Sequence, residues 1–446
     1  MAPEEIPMYA VIMAGGKGTR FWPLSREKRP KHLLNMTGEK SIIQYTVDRI
    51  SPLVAQDRIL IVTGASHADQ IREQLPQIPS ENILVEPVGR NTAPCIGLAA
   101  MHIRKKEPDA VMCVLPADHL IQDTEPFLAS LIAARDMAEK RACLVTIGVR
   151  PRWAETGYGY MERGQTADTI GDTKIYQVKS FREKPDRATA ESFLKSGKFF
   201  WNSGIFVWKV STLLDTIENL LPDLHEGLCA IGESIRTDRE MRALSEVYRR
   251  IEPVSIDYGV MEKASDVVML EGDFGWNDIG SWDALWDVLG KDAKGNVARG
   301  RVLRSGTSNC LVHSPDKMVA LVGVKDLLVV ETDDALLVSE RSIARRQEGG
   351  GAPRKKRDEG IPVSMADIIG FTAAVISSLA MSPQVIKIYR TKQTHDLSLG
   401  AFAVLGTGLL LWLVYGLLIH SAPVMLGNAV GFSLTLYIIV MKIMHG

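Results

Sequence analysis

Three long apolar stretches close this chain, and they limit its folding more than any other feature. They cover residues 361–388, 397–420 and 422–444. Each reaches the roughly 20 residues that an α-helix needs to cross a bilayer. Three such stretches in succession, with short polar breaks, are hard to bury in a soluble domain. An all-α three-helix transmembrane module is therefore predicted over residues 361–446. Before it, residues 345–360 read RRQEGGGAPRKKRDEG, a basic, Gly-rich linker. Residues 1–344 mix charged and apolar side chains as a water-soluble enzyme does.

The charge balance narrows the function. The 446 residues hold 52 Lys and Arg against 53 Asp and Glu, a formal net charge of −1. That gives no electrostatic case for a nucleic-acid partner. Cys95, Cys113, Cys143, Cys229 and Cys310 are odd in number, widely spaced and without a CxxC pair, so buried reduced thiols are expected. The first residues are acidic and lack the apolar region of a signal peptide, which predicts a cytoplasmic enzyme domain. Arg354, Lys355, Lys356 and Arg357 precede the first apolar span, and Lys387, Arg390 and Lys392 follow it. Both clusters favour the cytoplasmic side, and one intervening helix cannot satisfy both.

In the soluble part, short apolar runs alternate with amphipathic stretches. Strands are predicted at residues 9–14, 59–63, 82–86, 110–115 and 143–149, and helices at 41–50 and 92–106. Asn91 or Thr92 caps the second helix, with Pro94 in its first turn. This β-α-β order predicts an α/β, Rossmann-like domain over residues 1–290, with a parallel sheet and ligands at the carboxyl ends of its strands. Residues 291–344 turn short and Val/Leu-rich, as in 317–322 and 326–331, and predict a small β-helix-like domain.

The most informative stretch is AGGKGTRFWPLSR at 14–26, followed by Arg29-Pro-Lys-His32. Gly15, Gly16 and Gly18 directly follow a predicted strand, where glycine lets backbone N–H groups approach phosphate oxygens. Arg20 and Lys31 supply positive charge for a transferring phosphoryl group. Neither the Walker pattern nor the dinucleotide fingerprint fits this spacing. Asp118 follows the strand at 110–115, and Asp278 lies in GWNDIGSW at 275–282. A carboxylate at a strand end suits Mg²⁺ or a turn, and His119 reads as structural.

Together these segments resemble the sugar nucleotidyltransferases. Residues 15–26 with Pro30-Lys31 look like the opening signature, and FWPLSR is similar to the mannose-1-phosphate guanylyltransferase branch. That family carries Gln where this chain has His32. The resemblance covers residues 8–344. It implies transfer of GMP from GTP to mannose-1-phosphate, giving GDP-mannose and pyrophosphate. It makes Asp118 and Asp278 joint ligands of Mg²⁺. It places Gly15, Gly16, Gly18, Thr19, Glu86, Arg90 and Asn91 on the nucleotide, the last three from EPVGRNTAP at 86–94. It places Gly157, Glu183, Lys184, Asn202 and Asp257 on the sugar phosphate. Another base or sugar, or a sensing domain on a membrane transporter, are the alternatives.

The apolar region is similar to the SemiSWEET transporters of the PQ-loop kind over residues 365–446. Pro383-Gln384 matches the PQ motif, and Trp412 and Asn428 match the family's sugar-pocket pair. The resemblance implies a homodimer that passes a small sugar through a bacterial inner membrane, spanning it several times.

Overall fold

In this computed structural model, residues 7–16, 18–341, 383–390, 392, 394, 397–418 and 422–445 are described. The linker 345–360 and most of the first apolar span lie outside them. The chain divides into two compact units, Met1–Ala352 and Pro353–Gly446.

The first unit is built on a nine-stranded sheet. Its strands are β1 (Met8–Ala14), β2 (Ile59–Gly64), β3 (Ile83–Glu86), β4 (Val111–Pro116), β5 (Leu144–Val149), β6 (Tyr160–Ile170), β7 (Thr173–Arg182), β8 (Phe199–Lys209) and β9 (Val267–Gly272). They lie in the order β3-β2-β1-β4-β8-β5-β9-β7-β6. The first four are mutually parallel, in the order of a nucleotide-binding half-sheet.

Both faces of β1 are buried, as a strand covered on two sides requires. Ala10, Ile12 and Ala14 join one core with α1 (Ile42–Ile50), α2 (Ala68–Gln74) and α4 (Thr124–Lys140). Tyr9 and Val11 join the other with α3 (Thr92–Lys106), α6 (Val210–Leu220), α7 (Pro222–Ser234) and α8 (Glu240–Arg250). Each fully buried aliphatic side chain contributes about 1.5–3 kcal/mol. Helix α1 is fixed at its start by Ser41, whose side chain accepts from the Gln44 N–H while the Gln44 side chain accepts from the Ser41 N–H.

One expectation is corrected: the sheet is mixed, not parallel. β8 runs antiparallel between β4 and β5. Residues 110–115 and 143–149 therefore are not neighbours, although a β-α-β reading makes them so. The chain leaves β5, turns through the β6–β7 hairpin and α5 (Arg187–Ser196), and returns in the opposite sense. Backbone direction follows from that long excursion and not from local periodicity.

Helix α9 (Trp282–Val288) leads into a four-stranded sheet of β10 (Val297–Ser305), β11 (Leu311–Val322), β12 (Leu327–Glu331) and β13 (Leu336–Glu340). The first three are parallel and the last pair antiparallel. This sheet shares a core with the glycine-loop region, where Phe21, Leu34 and Met36 pack with Trp282, Leu311 and Leu328. Arg299 adds bonds to the carbonyls of Asn35 (2.7 Å) and Gly38 (2.8 Å).

The second unit contains a helical turn at residues 383–390, α10 (Leu399–Leu418) and α11 (Ala422–His445). Segments Leu399–Gly416 and Gly427–Met444 are long and apolar enough to cross a membrane. The two helices pack as a hairpin. A Cβ on Gly406 would lie 3.5 Å from Thr435, and one on Gly416 3.0 Å from Val424. Hydroxyls of Thr407, Ser433 and Thr435 bond carbonyls one turn back in their own helices. Asn428 does the same, donating to the Val424 carbonyl at 2.8 Å.

Candidate active site

β1 and β4 are adjacent, and the chain leaves their carboxyl ends in different directions. That divergence opens a crevice where α/β sheets bind ligands. A cleft of about 920 Å³ lies there. Gly15 and Gly16 line it from the end of β1, and Pro116, Asp118 and His119 from the end of β4. Gly16 has φ +93°, a conformation natural to glycine. Gly18 faces elsewhere: its φ is +51°, and a Cβ there would sit 2.7 Å from the Lys31 backbone nitrogen. Thr19 begins the short turn Thr19–Phe21.

Two acidic residues far apart in the sequence reach the same wall through a backbone bridge. Leu120 and Asn277 exchange N–H···O bonds of 2.8 and 3.0 Å, which sets 118–120 beside 276–278. Trp276 reinforces the bridge by donating to the His119 ring at 3.2 Å. Lys31 lies beneath both. Its buried ammonium donates to the Asp118 carboxylate at 2.9 Å and to the Asp278 carbonyl. Burial works against the charged Asp118, but Lys31, with His119 and His32, holds its carboxyl well below the usual range. The Asp278 carboxylate accepts from the Tyr158 hydroxyl and from the Gly280 N–H (3.1 Å). The next residue, Ile279, is β-branched yet has φ 44°, a strained backbone.

Glu183, Lys184, Asn202 and Asp257 also line the cleft. Asn202 donates to Asp257 at 2.8 Å, and Lys184 pairs with Glu183 at 3.3 Å. Lys184 has φ 46° and is held by an N–H bond to the Tyr158 carbonyl (3.2 Å). A Cβ on Gly159 would meet the tip of the Glu183 side chain, which would have to shift. Burial, then the nearby Glu183, push Asp257 up to about 7. Burial also raises Glu183. Asp257 opens a single wide helical turn, Asp257–Met261.

Glu86, Val88, Gly89, Asn91, Thr92 and Cys95 also line the cleft, where β3 passes into α3. Asn91 caps α3 with φ 71° and accepts from the Thr92 N–H at 2.9 Å. Glu86 is 5% exposed, and its Oε1 has no hydrogen-bond partner among the described residues. Burial raises its carboxyl from 4.5 to about 7.

The structure thus brings Gly15, Gly16, Glu86, Asn91, Asp118, Gly157, Glu183, Lys184, Asn202, Asp257 and Asp278 to one cleft. Arg20 is exposed and does not line it. Arg90 turns away: its guanidinium caps the end of α8, on the carbonyls of Tyr248 (2.6 Å) and Arg249 (3.3 Å). Helix ends leave carbonyls without intrahelical partners, which explains that choice. His32 is buried, with Nε2 unpartnered among the described residues, and burial lowers it to about 4. Trp412 is 56% exposed, Pro383 is exposed, and Gln384 and Asn428 are half-buried.

Sequence reading missed Tyr158, although it stands inside TGYGY at 156–160. It also missed His67 and Trp276, which line the cleft. Tyr248 had no motif to mark it.

The chain matches the model of the nucleotidyl transferase family over residues 9–295. It matches the MannoseP isomerase/GMP-like beta-helix domain over 300–346 and the PQ loop repeat over 365–425. Mannose-1-phosphate guanylyltransferase 2 of Escherichia coli O157:H7 is 40% identical over 347 residues, 76% of this chain and 72% of that one. A crystal structure from Thermus thermophilus, described as a mannose-1-phosphate geranyltransferase, matches with TM-score 0.69 and 35% identity. It covers 77% of this chain and 98% of its own. A bacterial homologue of SWEET transporters is 41% identical over 19% of this chain and 100% of its own, with TM-score 0.18.

Proposed function

The chain belongs to the nucleotidyl transferase family, among its mannose-1-phosphate guanylyltransferases, and we propose that it converts GTP and mannose-1-phosphate into GDP-mannose and pyrophosphate. The observation that carries this reading is the pairing of Asp118 and Asp278 on one wall of a cleft that Glu86, Glu183 and Asp257 also line.

A sugar-phosphate oxygen attacks the α-phosphorus of GTP in line. The new O–P bond forms as the bond to the β-phosphate oxygen breaks, and pyrophosphate leaves with that electron pair. The attacking phosphate is already ionised, so no general base is required. The work is to hold two mutually repelling anions together and to neutralise developing charge. Gly15 and Gly16 offer backbone N–H groups to the triphosphate. Arg20 is proposed as a further cation for the triphosphate, although it is exposed and does not line the cleft in this structure. Lys31 holds Asp118 ionised. Lys184 takes the sugar's phosphate, and Glu183, Asn202, Asp257 and the Gly157 backbone take its hydroxyls. Glu86 faces the base.

Asp118 and Asp278 suit Mg²⁺, which favours one or two carboxylates together with substrate phosphates. When bound, the ion neutralises phosphate charge. The C-terminal unit is proposed to be a membrane-embedded, multi-pass module that dimerises and passes a small sugar, with the enzyme domain cytoplasmic. Pro383, Gln384, Trp412 and Asn428 are proposed to form its pocket in the dimer. Two apolar helices and the PQ loop match support that reading.

Pyrophosphate release from a panel of nucleoside triphosphates and sugar-1-phosphates tests the enzyme. Highest kcat/KM for GTP with mannose-1-phosphate is expected. A clear preference for another pair would replace the substrate assignment.

A further inference from the structure

We infer that Tyr158 is a positioning residue. Its phenol orients the Asp278 carboxylate for a divalent cation and ties that carboxylate to the residues proposed to hold the sugar phosphate. The inference rests on the proposal that Asp118 and Asp278 share a cation with the triphosphate.

Each of the two carboxylates is hydrogen-bonded by side chain at one oxygen. Lys31 holds Asp118 at Oδ2 (2.9 Å). On Asp278, the Tyr158 hydroxyl and the Gly280 N–H both donate to Oδ1. Among the described residues no hydrogen bond falls on Asp278 Oδ2. A hydrogen bond to one oxygen fixes the direction in which a metal-binding carboxylate turns. The two partners differ in charge. Lys31 brings a positive charge to Asp118, whereas the phenol on Asp278 is neutral. Tyr158 therefore orients Asp278 and leaves its negative charge for a cation.

Tyr158 does not move independently of its surroundings. Its ring meets Trp201 and Trp276 edge to face, with centroids 5.2 and 5.3 Å away. Trp276 belongs to the same segment as Asp278 and bonds the His119 ring beside Asp118. Glu155 gathers the loop that leads in. Its carboxylate accepts from the N–H groups of Thr156 (2.9 Å) and Gly157 (3.0 Å) and from the Trp153 indole (3.0 Å). The Tyr158 carbonyl accepts from the Lys184 N–H, and the Gly159 carbonyl from the Asn202 N–H (2.8 Å). The main chain that holds Lys184 and Asn202 thus carries the hydroxyl that holds Asp278.

Tyr158→Phe removes the hydroxyl and keeps the ring between the two indoles. Full-length protein in detergent is titrated with Mn²⁺–GTP, and mannose-1-phosphate is omitted so that nothing turns over. Water-proton relaxation reports the protein-bound ion, and calorimetry in EDTA reports binding of metal-free GTP. We expect the Kd for Mn²⁺–GTP to rise about ten-fold, the lower end of the loss when such a partner is removed, while that for metal-free GTP stays within about two-fold. In Asp278→Asn, adding Tyr158→Phe produces no further loss, because both act through one carboxylate. Equal weakening with and without the metal would make Tyr158 a plain nucleotide contact and overturn the inference. Unchanged Mn²⁺–GTP affinity, or additive losses in the double variant, would overturn it as well. So would a Tyr158→Phe protein that does not fold, because the hydroxyl would then be serving the fold. Wild-type protein that binds Mn²⁺–GTP no more tightly than metal-free GTP would instead remove the shared-cation proposal beneath it.

Discussion

Gly18→Ala tests how the glycine loop sets Lys31 against Asp118. The new Cβ would stand 2.7 Å from the Lys31 backbone nitrogen and 3.3 Å from the Lys31 and Pro30 Cβ atoms. Ordinary contact begins near 3.4 Å, so backbone must move by about 0.7 Å. Backbone yields less readily than a side-chain tip. The φ of +51° adds roughly 1–2 kcal/mol for any residue with a Cβ. Overpacking adds about 1–3 kcal/mol. The sum, about 2–5 kcal/mol, leaves a large domain folded but lowers its melting temperature by several degrees. The same displacement carries Lys31 away from the Asp118 carboxylate and the Asp278 carbonyl. Misplacement of about that size costs on the order of 10²-fold in turnover. Steady-state pyrophosphate release and a thermal melt, both on the full-length protein, measure the two effects. Gly15→Ala is the control for the fold: its Cβ meets nothing within 4 Å, and its melt should match wild type. If Gly18→Ala melts and turns over like wild type, the packing of Gly18 against Lys31 has no bearing on the site.

Asp118→Asn and Asp278→Asn should each lower kcat by orders of magnitude with a preserved melting temperature. Near-normal turnover in both would remove their proposed role as joint metal ligands. Stability without ligands should carry the signature of Glu86. Its folded value, about 7, lies above its ordinary 4.5, so the folded state binds that proton more tightly. The stabilisation is complete below about 4.5 and is lost as pH rises through about 7, about 3 kcal/mol at most. The groups facing Glu86 there are Tyr248 and Cys95, neither of which supplies a compensating positive charge. The melting temperature of Glu86→Gln relative to wild type should therefore climb between about pH 5 and pH 8, and a flat difference would show that Glu86 ionises normally. For the C-terminal unit, proteoliposomes holding the full chain should take up a small sugar, and Trp412→Ala should slow it. Uptake equal to that of empty vesicles would argue against the transport role.

Much of the first half-sheet was legible because its signals are local. Residues 9–14, 59–63, 82–86 and 110–115 are short, mostly apolar runs that end at glycine, proline or an acidic residue, and β1 to β4 follow them within a residue or two. The helix predicted at 92–106 appears as Thr92–Lys106, with Asn91 as its cap. What was illegible depends on partners distant in sequence. The antiparallel insertion of β8 reflects the direction in which a long excursion returns. Lys31 is 87 residues from Asp118, and Arg90 is 158 from Tyr248, so neither bond has a local pattern. The resemblance implied a nucleotide contact for Arg90, whereas in the structure helix-end carbonyls hold its guanidinium. Tyr248 sits in an ordinary amphipathic helix, and only the fold brings its hydroxyl to the Pro94 carbonyl, 154 residues away.

The proposed chemistry is direct attack by a sugar phosphate at the inner phosphorus of GTP. The sharpest measurement supplies Mg²⁺, GTP and mannose-1-phosphate carrying oxygen-18 in its terminal phosphate oxygens, and weighs both products by mass spectrometry. GDP-mannose bearing the whole label, with unlabelled pyrophosphate in equal amount, is the predicted result. Intact GTP despite normal binding of both substrates, or label in the pyrophosphate, would contradict it.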